Sequence, residues 1–201
     1  GVNAIAPVGV NASAFLDRGD VTGSAQRQKA ADFLRHVGLP RAGVEAWKYT
    51  SLRALGGIAY AAAPQAVDPA AVDTLLAEIE TISGLGAEAA RAVFVNGHFD
   101  AARSRLPAGV RVSTFAAEGR MGDDIDPAGD VTTALNTVMA RDGLRLVVPE
   151  GVDAGCLLLA SIGVADDAPV SFHPRHDIVV EKGGRLSLLD ASVGRGPYLH
   201  N

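Results

Sequence analysis

The run from Gly143 to Asn201 limits the possible folds more than any other part of this chain. Four short apolar segments follow one another there: Gly143-Leu-Arg-Leu-Val-Val-Pro149, Cys156-Leu-Leu-Leu-Ala-Ser-Ile162, Asp177-Ile-Val-Val-Glu181 and Arg185-Leu-Ser-Leu-Leu-Asp190. Apolar runs of this length, bounded by Gly, Pro and Asp, read as strands. Two of the joins share a plan, a strand followed by a Gly-containing break (Pro149-Glu-Gly151, Lys182-Gly-Gly184) and another strand. Repetition of that plan is the pattern of stacked rungs in a parallel β-helix. A solenoid needs about three or more units to bury a continuous core, and two rungs fall short of that. Nothing helical or strongly polar follows Leu199-His-Asn201, so the last rung offers an open edge, which invites pairing. The expectation is a piece of a longer protein, prone to self-association through that edge.

Upstream, the periodicity turns helical. Ser24 is a candidate N-cap for a helix to Val37, with Ala30, Phe33, Leu34 and Val37 on one face and Gly38 and Pro40 as stop signals. Asn11 to Arg18 has room for a helical turn or two. Gly56 to Val67, rich in Ala and Gly, reads as a connector. Asp68-Pro69 opens a second helix, lined by Val72, Leu75, Leu76 and Ile79 and ended by Gly84. Arg91–Val95 reads as a strand, and Asn96-Gly97 as a two-residue hairpin turn leading to His98-Phe99. Val110–Phe115 suggests another strand, Gly119–Gly129 an exposed acidic loop, and Asp130 the cap of a helix over Val131–Ala140. The fold class is therefore α+β: a mainly helical region with a small hairpin over residues 1–142, then the first rungs of a parallel β-helix over 143–201.

Composition narrows the function classes. Hydrophobic residues make up 48% of the 201, which is enough for a core. Aromatics are only 5%, so Ala, Val and Leu must fill it. A formal charge of −5 and the lack of any basic block argue against a nucleic-acid or anionic-membrane surface. No charge-free apolar run reaches the roughly 18 residues of a spanning helix, and Gly1–Leu16 lacks the basic segment of a signal peptide. The single cysteine excludes an internal disulfide and suits a reducing cytoplasm.

No catalytic arrangement stands out. The chain has no phosphate-binding GxxxxGK[ST] loop, no GxSxG elbow and no HExxH pair, and its Gly84-Leu-Gly86 does not complete a dinucleotide fingerprint. Cys156, followed by three leucines, reads as a small buried apolar residue rather than a nucleophile. His173 and His176 flank Pro174, which disfavours the helix that would aim both at one metal, so they read as surface or turn histidines; His200 lies near the end. Trp47 and Tyr49 have two readings. They anchor the N-terminal helical region, the reading favoured in so aromatic-poor a chain, or they form a ligand or partner platform with Lys48 and Arg53. No catalytic, cofactor-binding or metal residue is assigned, and the chain is read as not an enzyme.

One stretch is distinctive. Gly38-Leu-Pro40 followed by Glu45-Ala-Trp-Lys-Tyr-Thr50 resembles a segment of the SufB/SufD family of iron–sulfur cluster assembly proteins, in its SufD branch. The resemblance continues in order through Phe94-Val-Asn-Gly97, Ala134-Leu-Asn136, Gly143–Pro149, His173-Pro-Arg-His176 and Leu186–Asp190, covering most of the chain from about Ser24. It implies a helical N-terminal region, a right-handed parallel β-helix and a C-terminal helical region. It also implies SufB-like and SufC-like (ATPase) partners in the full-length protein, and a scaffold role in a SufBCD-type complex. The iron–sulfur cluster would be handled by the whole complex, with no cofactor in this piece, no nucleic acid and no membrane. The C-terminal ATPase-binding helices of the family have no counterpart here. The alternative is a fragment of a β-helical carbohydrate-active or acyl-transfer enzyme; the hexapeptide repeats and aromatic grooves of such enzymes are missing from the sequence.

Overall fold

The computed structural model describes residues 12–18, 24–40, 52–119 and 125–201. Helices α1 (Ser13–Leu16) and α2 (Ala25–Val37) come first, then strand β1 (Ala61–Ala62) and helix α3 (Pro69–Ser83). Strands β2 (Ala90–Val95), β3 (His98–Phe99) and β4 (Arg111–Thr114) lead to helices α4 (Phe115–Glu118) and α5 (Val131–Met139). Strands β5 (Leu144–Val148), β6 (Asp153–Val164), β7 (Val170–Phe172), β8 (Asp177–Val180), β9 (Arg185–Arg195) and β10 (Tyr198–His200) follow. The chain forms two units, one from Gly1–Tyr60 with Asp123–Met139, the other from Ala61–Gly122 with Ala140–Asn201.

The first unit is helical for reasons visible in its caps. The Ser24 hydroxyl accepts the Arg27 N–H at 3.2 Å, satisfying a donor the helix cannot use. At the other end the Gly38 N–H donates to the Leu34 carbonyl. The Asp130 carboxylate accepts the Thr133 N–H at 2.7 Å and so starts α5 as expected. The buried stripe of α2 is Arg27, Ala30, Ala31 and Leu34, a spacing of three and four, and the helix packs on α5, whose buried residues include Ala134, Leu135 and Val138. Phe33 and Val37, expected on that stripe, are only half-buried. Arg27 takes its place there by donating to the Val138 carbonyl at 3.0 Å, close to the C-terminus of α5 where a cation is favoured. The short α1 buries Phe15, whose ring stacks on Tyr60 at 5.7 Å.

The second unit is built on β6. Its residues alternate between two faces, and both are covered. On one face Leu158, Ala160, Ile162 and Val164 pack with Val93 and Val95 beneath Val72, Leu75, Leu76 and Ile79 of α3. On the other, Leu157 and Leu159 join Ala92, Phe94, Leu144, Leu146 and Val148. A strand covered on both faces needs an unbroken apolar run, which is what Leu157–Ala160 supplies. Helix α3 starts where Asp68 accepts the Ala70 N–H and stops at Gly84, in left-handed conformation. The Asn96-Gly97 turn has positive φ at both residues (50° and 80°), the geometry expected of a type I′ hairpin. The Asn96 side chain is buried and reaches across: its amide donates to the Pro64 and Val164 carbonyls, and its oxygen accepts the Val164 N–H at 2.8 Å.

Strand pairing follows one scheme. The sheets run β1-β7-β10, β3-β2-β6-β9 and β4-β5-β8. Each strand of the triplet β5, β6, β7 pairs in parallel with its counterpart in the triplet β8, β9, β10. Arg145 meets Asp177, Leu157 meets Leu188 and Val170 meets Tyr198. The offset narrows first at the register irregularity between Asp153 and Cys156, and again because the corner from Arg195 to Tyr198 is shorter than that from Val164 to Val170. Strand β1 adds a parallel edge that the Ala- and Gly-rich connector did not foretell.

Candidate functional site

Each residue singled out from sequence has a definite standing. Trp47, Lys48 and Tyr49 lie outside the described residues, as does the side chain of Arg53. Cys156 is exposed, not buried as expected. It shares the face of β6 that carries Leu158 and Ala160, but it sits one pair nearer the strand's start, beside an irregularity in register between Asp153 and Cys156. The three leucines after it belong to the core; the cysteine does not.

The histidines required the opposite correction. His173 and His176 lie in the connection from β7 to β8, and not at the surface. His173 is 3% exposed, with Nε2 at 3.1 Å from the Ser171 hydroxyl. His176 is half-buried, with its ring edge-on to Phe94 at 4.7 Å, and its Nδ1 accepts the Leu144 N–H at 3.0 Å. His200 on β10 stacks on Phe172, its partner in the register, at 5.0 Å. Burial pushes the His176 imidazole down to about 4; nearby His200 adds to this, while the Asp142 carboxylate opposes it. Burial also lowers His200, against the pull of Asp190.

Around His176 the structure gathers a junction that sequence reasoning missed, centred on Asp142. This carboxylate is 4% exposed and accepts three backbone N–H groups: Phe99 at 2.9 Å, Ala116 at 3.0 Å and Gly143 at 2.9 Å. Its own carbonyl accepts the Arg175 N–H at 3.1 Å. The side chain thus ties the hairpin, the first turn of α4 and the start of β5, and the residue's backbone carbonyl adds the segment before β8. A buried charge is tolerable when several donors serve it. The Asp142-Gly143 pair just before a strand was the available signal, and glycine is required at its second position. The reason is close approach: a Cβ there would stand 1.6 Å from the Arg175 carbonyl oxygen.

An open cleft lies over the sheet β4-β5-β8, lined by Arg111, Val112, Ser113, Glu118, Arg145 and Val147. Both guanidiniums are engaged: Arg111 with Glu181 at 2.7 Å, and Arg145 with Glu118 and Asp177 at 3.5 and 3.9 Å. The cleft therefore offers little unbalanced charge to a ligand. Among the described residues, no group of three or more His, Cys, Asp or Glu is placed to hold a metal ion. No described helix is long and apolar enough to cross a membrane.

These features define a mixed α/β protein in which parallel strand triplets are tied together by buried polar side chains. A family model described as the N-terminal region of SufBD proteins matches residues 20–158, and the chain belongs to that family. It is also similar to an iron–sulfur cluster assembly SufBD family protein of Synechocystis, with 28% identity over 179 residues, 83% of this chain. The match covers 38% of that relative, so the chain spans well under half the length of the protein it resembles.

Proposed function

We propose that this chain is the N-terminal portion of a SufD-type scaffold subunit for iron–sulfur cluster assembly. The observation that carries the reading is the family match over residues 20–158, supported by the similarity to a relative whose name places it in the SufBD family of iron–sulfur cluster assembly. The SufD branch is favoured by the Glu45-Ala-Trp-Lys-Tyr-Thr50 segment. On this reading residues 143–201 are the first coils of a right-handed parallel β-helix. Its physical support is the pairing of β5, β6 and β7 with β8, β9 and β10, one strand of each triplet in each of three sheets. A stack of such coils holds surfaces at fixed spacing, which is what a scaffold requires. The role is non-catalytic and cytoplasmic, with the cluster handled by the assembled complex and not by this portion.

The partners are a SufB-like subunit and a SufC-like ATPase, both bound by the full-length protein. The test is co-expression of the full-length parent with the ATPase and the SufB-like subunit from the same genome, followed by affinity purification. A stable three-component complex is expected, with ATP hydrolysis confined to preparations that contain the ATPase. If the parent purifies without either subunit, or hydrolyses ATP alone, the reading fails.

A further inference from the structure

His176 stands where the two strand triplets meet, and its role there depends on chemistry as well as packing. Its Nδ1 accepts the Leu144 N–H, at the first residue of β5. A backbone N–H can only donate, so this bond requires Nδ1 to carry a lone pair. The neutral ring must then hold its proton on Nε2. Protonation at Nδ1 would set two donors against each other at 3.0 Å. The surroundings leave little room to adjust. Phe94 packs edge-on against the ring, and the 142–144 segment lies against Arg175 so closely that Gly143 has no space for a Cβ.

We propose that His176 is a proton-operated latch: neutral, it holds the start of β5 against the segment that leads into β8; protonated, it lets the Leu144 amide go. The groups that bias it are few. Asp142 faces the ring from the β5 side and favours the proton, while His200 faces it from β10 and disfavours it. Asp190 on β9 acts on His200 in turn. Phe94 on β2 brings no charge, and the neighbouring Asp177 is engaged by Arg145. Arg175, the other chain neighbour, fixes its backbone N–H on the Asp142 carbonyl. The burial that lowers His176 keeps the latch closed through the neutral range and opens it in acid. The latch is independent of any role in cluster assembly.

The experiment is amide exchange and ring-nitrogen spectroscopy on the 15N-labelled chain between pH 7 and 4. The Leu144 amide is compared with the other amides of β5, each corrected for the intrinsic pH dependence of exchange. The expected result is that its relative exchange rises about tenfold per pH unit as pH falls toward the titration point, as a single-proton opening requires. His176→Asn keeps an acceptor near the Nδ1 position but cannot take the proton, and its Leu144 exchange is expected to stay level. The ring nitrogens of the unsubstituted chain are expected to show the Nε2–H form, titrating well below the ordinary histidine value. A level Leu144 profile in the unsubstituted chain, an unchanged rise in His176→Asn, or a neutral ring protonated on Nδ1 would each overturn the latch. If His176→Asn does not fold, the ring-nitrogen measurement decides alone.

Discussion

The two strand triplets use the same pairing and differ in what covers them. In β6, Leu157 and Leu158 are at most 1% exposed; their partners in β9, Leu188 and Leu189, are 46% and 37% exposed. Strands β5 and β8 show the same contrast: Val148 is buried and its partner Val180 is 46% exposed. The sequences hardly differ, Leu-Leu-Leu against Leu-Leu-Asp at matched positions. Apolar side chains thus mark a strand, but a second layer decides whether they are core. Each strand of the first triplet is flanked by a strand on either side, whereas each strand of the second is the outermost in its described sheet; α3 packs against both β6 and β9.

The largest effect is expected in the first triplet. Leu157→Ala removes a fully buried side chain from the cluster that holds Phe94, Leu144 and Leu146, and should cost about 2–5 kcal/mol. Urea unfolding would measure it. A cost below about 1 kcal/mol would mean that this cluster collapses to fill the space, and the contrast between triplets would lose its energetic meaning. Asp142→Ala comes next. It leaves the Phe99, Ala116 and Gly143 N–H groups without their shared acceptor, and a loss of about 3 kcal/mol is expected. Gly143→Ala should destabilise by a similar amount through the clash with the Arg175 carbonyl, although it removes no hydrogen-bonding group. If Asp142→Ala is mild while Gly143→Ala is severe, the junction is held by fit rather than by hydrogen bonding.

Much of this architecture was legible. Ser24, Asp68 and Asp130 marked three helix starts because a capping side chain acts within its own turn. Asn96-Gly97 marked the hairpin because few other pairs adopt positive φ twice. The four strands after Gly143 were legible as apolar runs; β7 and β10, three residues each, were too short to show a period. The site was less legible. Cys156 looked buried because its neighbours are leucines, but burial in a strand depends on the layer above, which sequence does not display. His173 and His176 looked exposed because polar residues around a proline usually are; here the connection that carries them folds inward, where Ser171 and the Leu144 amide supply partners. Asp142 was missed since two of its three donors, Phe99 and Ala116, come from distant parts of the chain.

Acid should weaken the junction with a definite sign. The folded His176 titrates at about 4 and the unfolded side chain at 6.5, so between those values the unfolded chain binds more protons. Stability from this group is therefore full above about pH 6.5 and declines as pH falls toward 4, by up to about 3 kcal/mol. His200, also lowered, acts in the same direction. Asp130 titrates at lower pH: burial disfavours its charge, but bonds from Thr132 and Thr133 outweigh that and hold it below the ordinary carboxylate value. Its contribution is lost only as pH falls past that range. The urea midpoint measured from pH 7 to 4.5 should drop in the unsubstituted chain and drop less in His176→Asn. Equal slopes would assign the acid response to other groups.

The smallest effect is the most informative about the proposed longer parent. Leu188→Ala, at a position nearly half exposed, should cost this chain under about 1 kcal/mol, because part of the side chain already meets water and no closed cavity forms. In a longer parent whose next coil lies against β9, the same residue would occupy the environment that Leu157 has here. Its loss there should cost about 2–5 kcal/mol, the figure for a buried leucine. Measuring Leu188→Ala in both proteins separates two explanations of the contrast between triplets. If the cost rises in the parent, the second triplet is an ordinary coil awaiting its neighbour. If it stays small, the exposure of Leu188 and Leu189 belongs to the fold itself, and the β-helix reading of residues 143–201 is wrong.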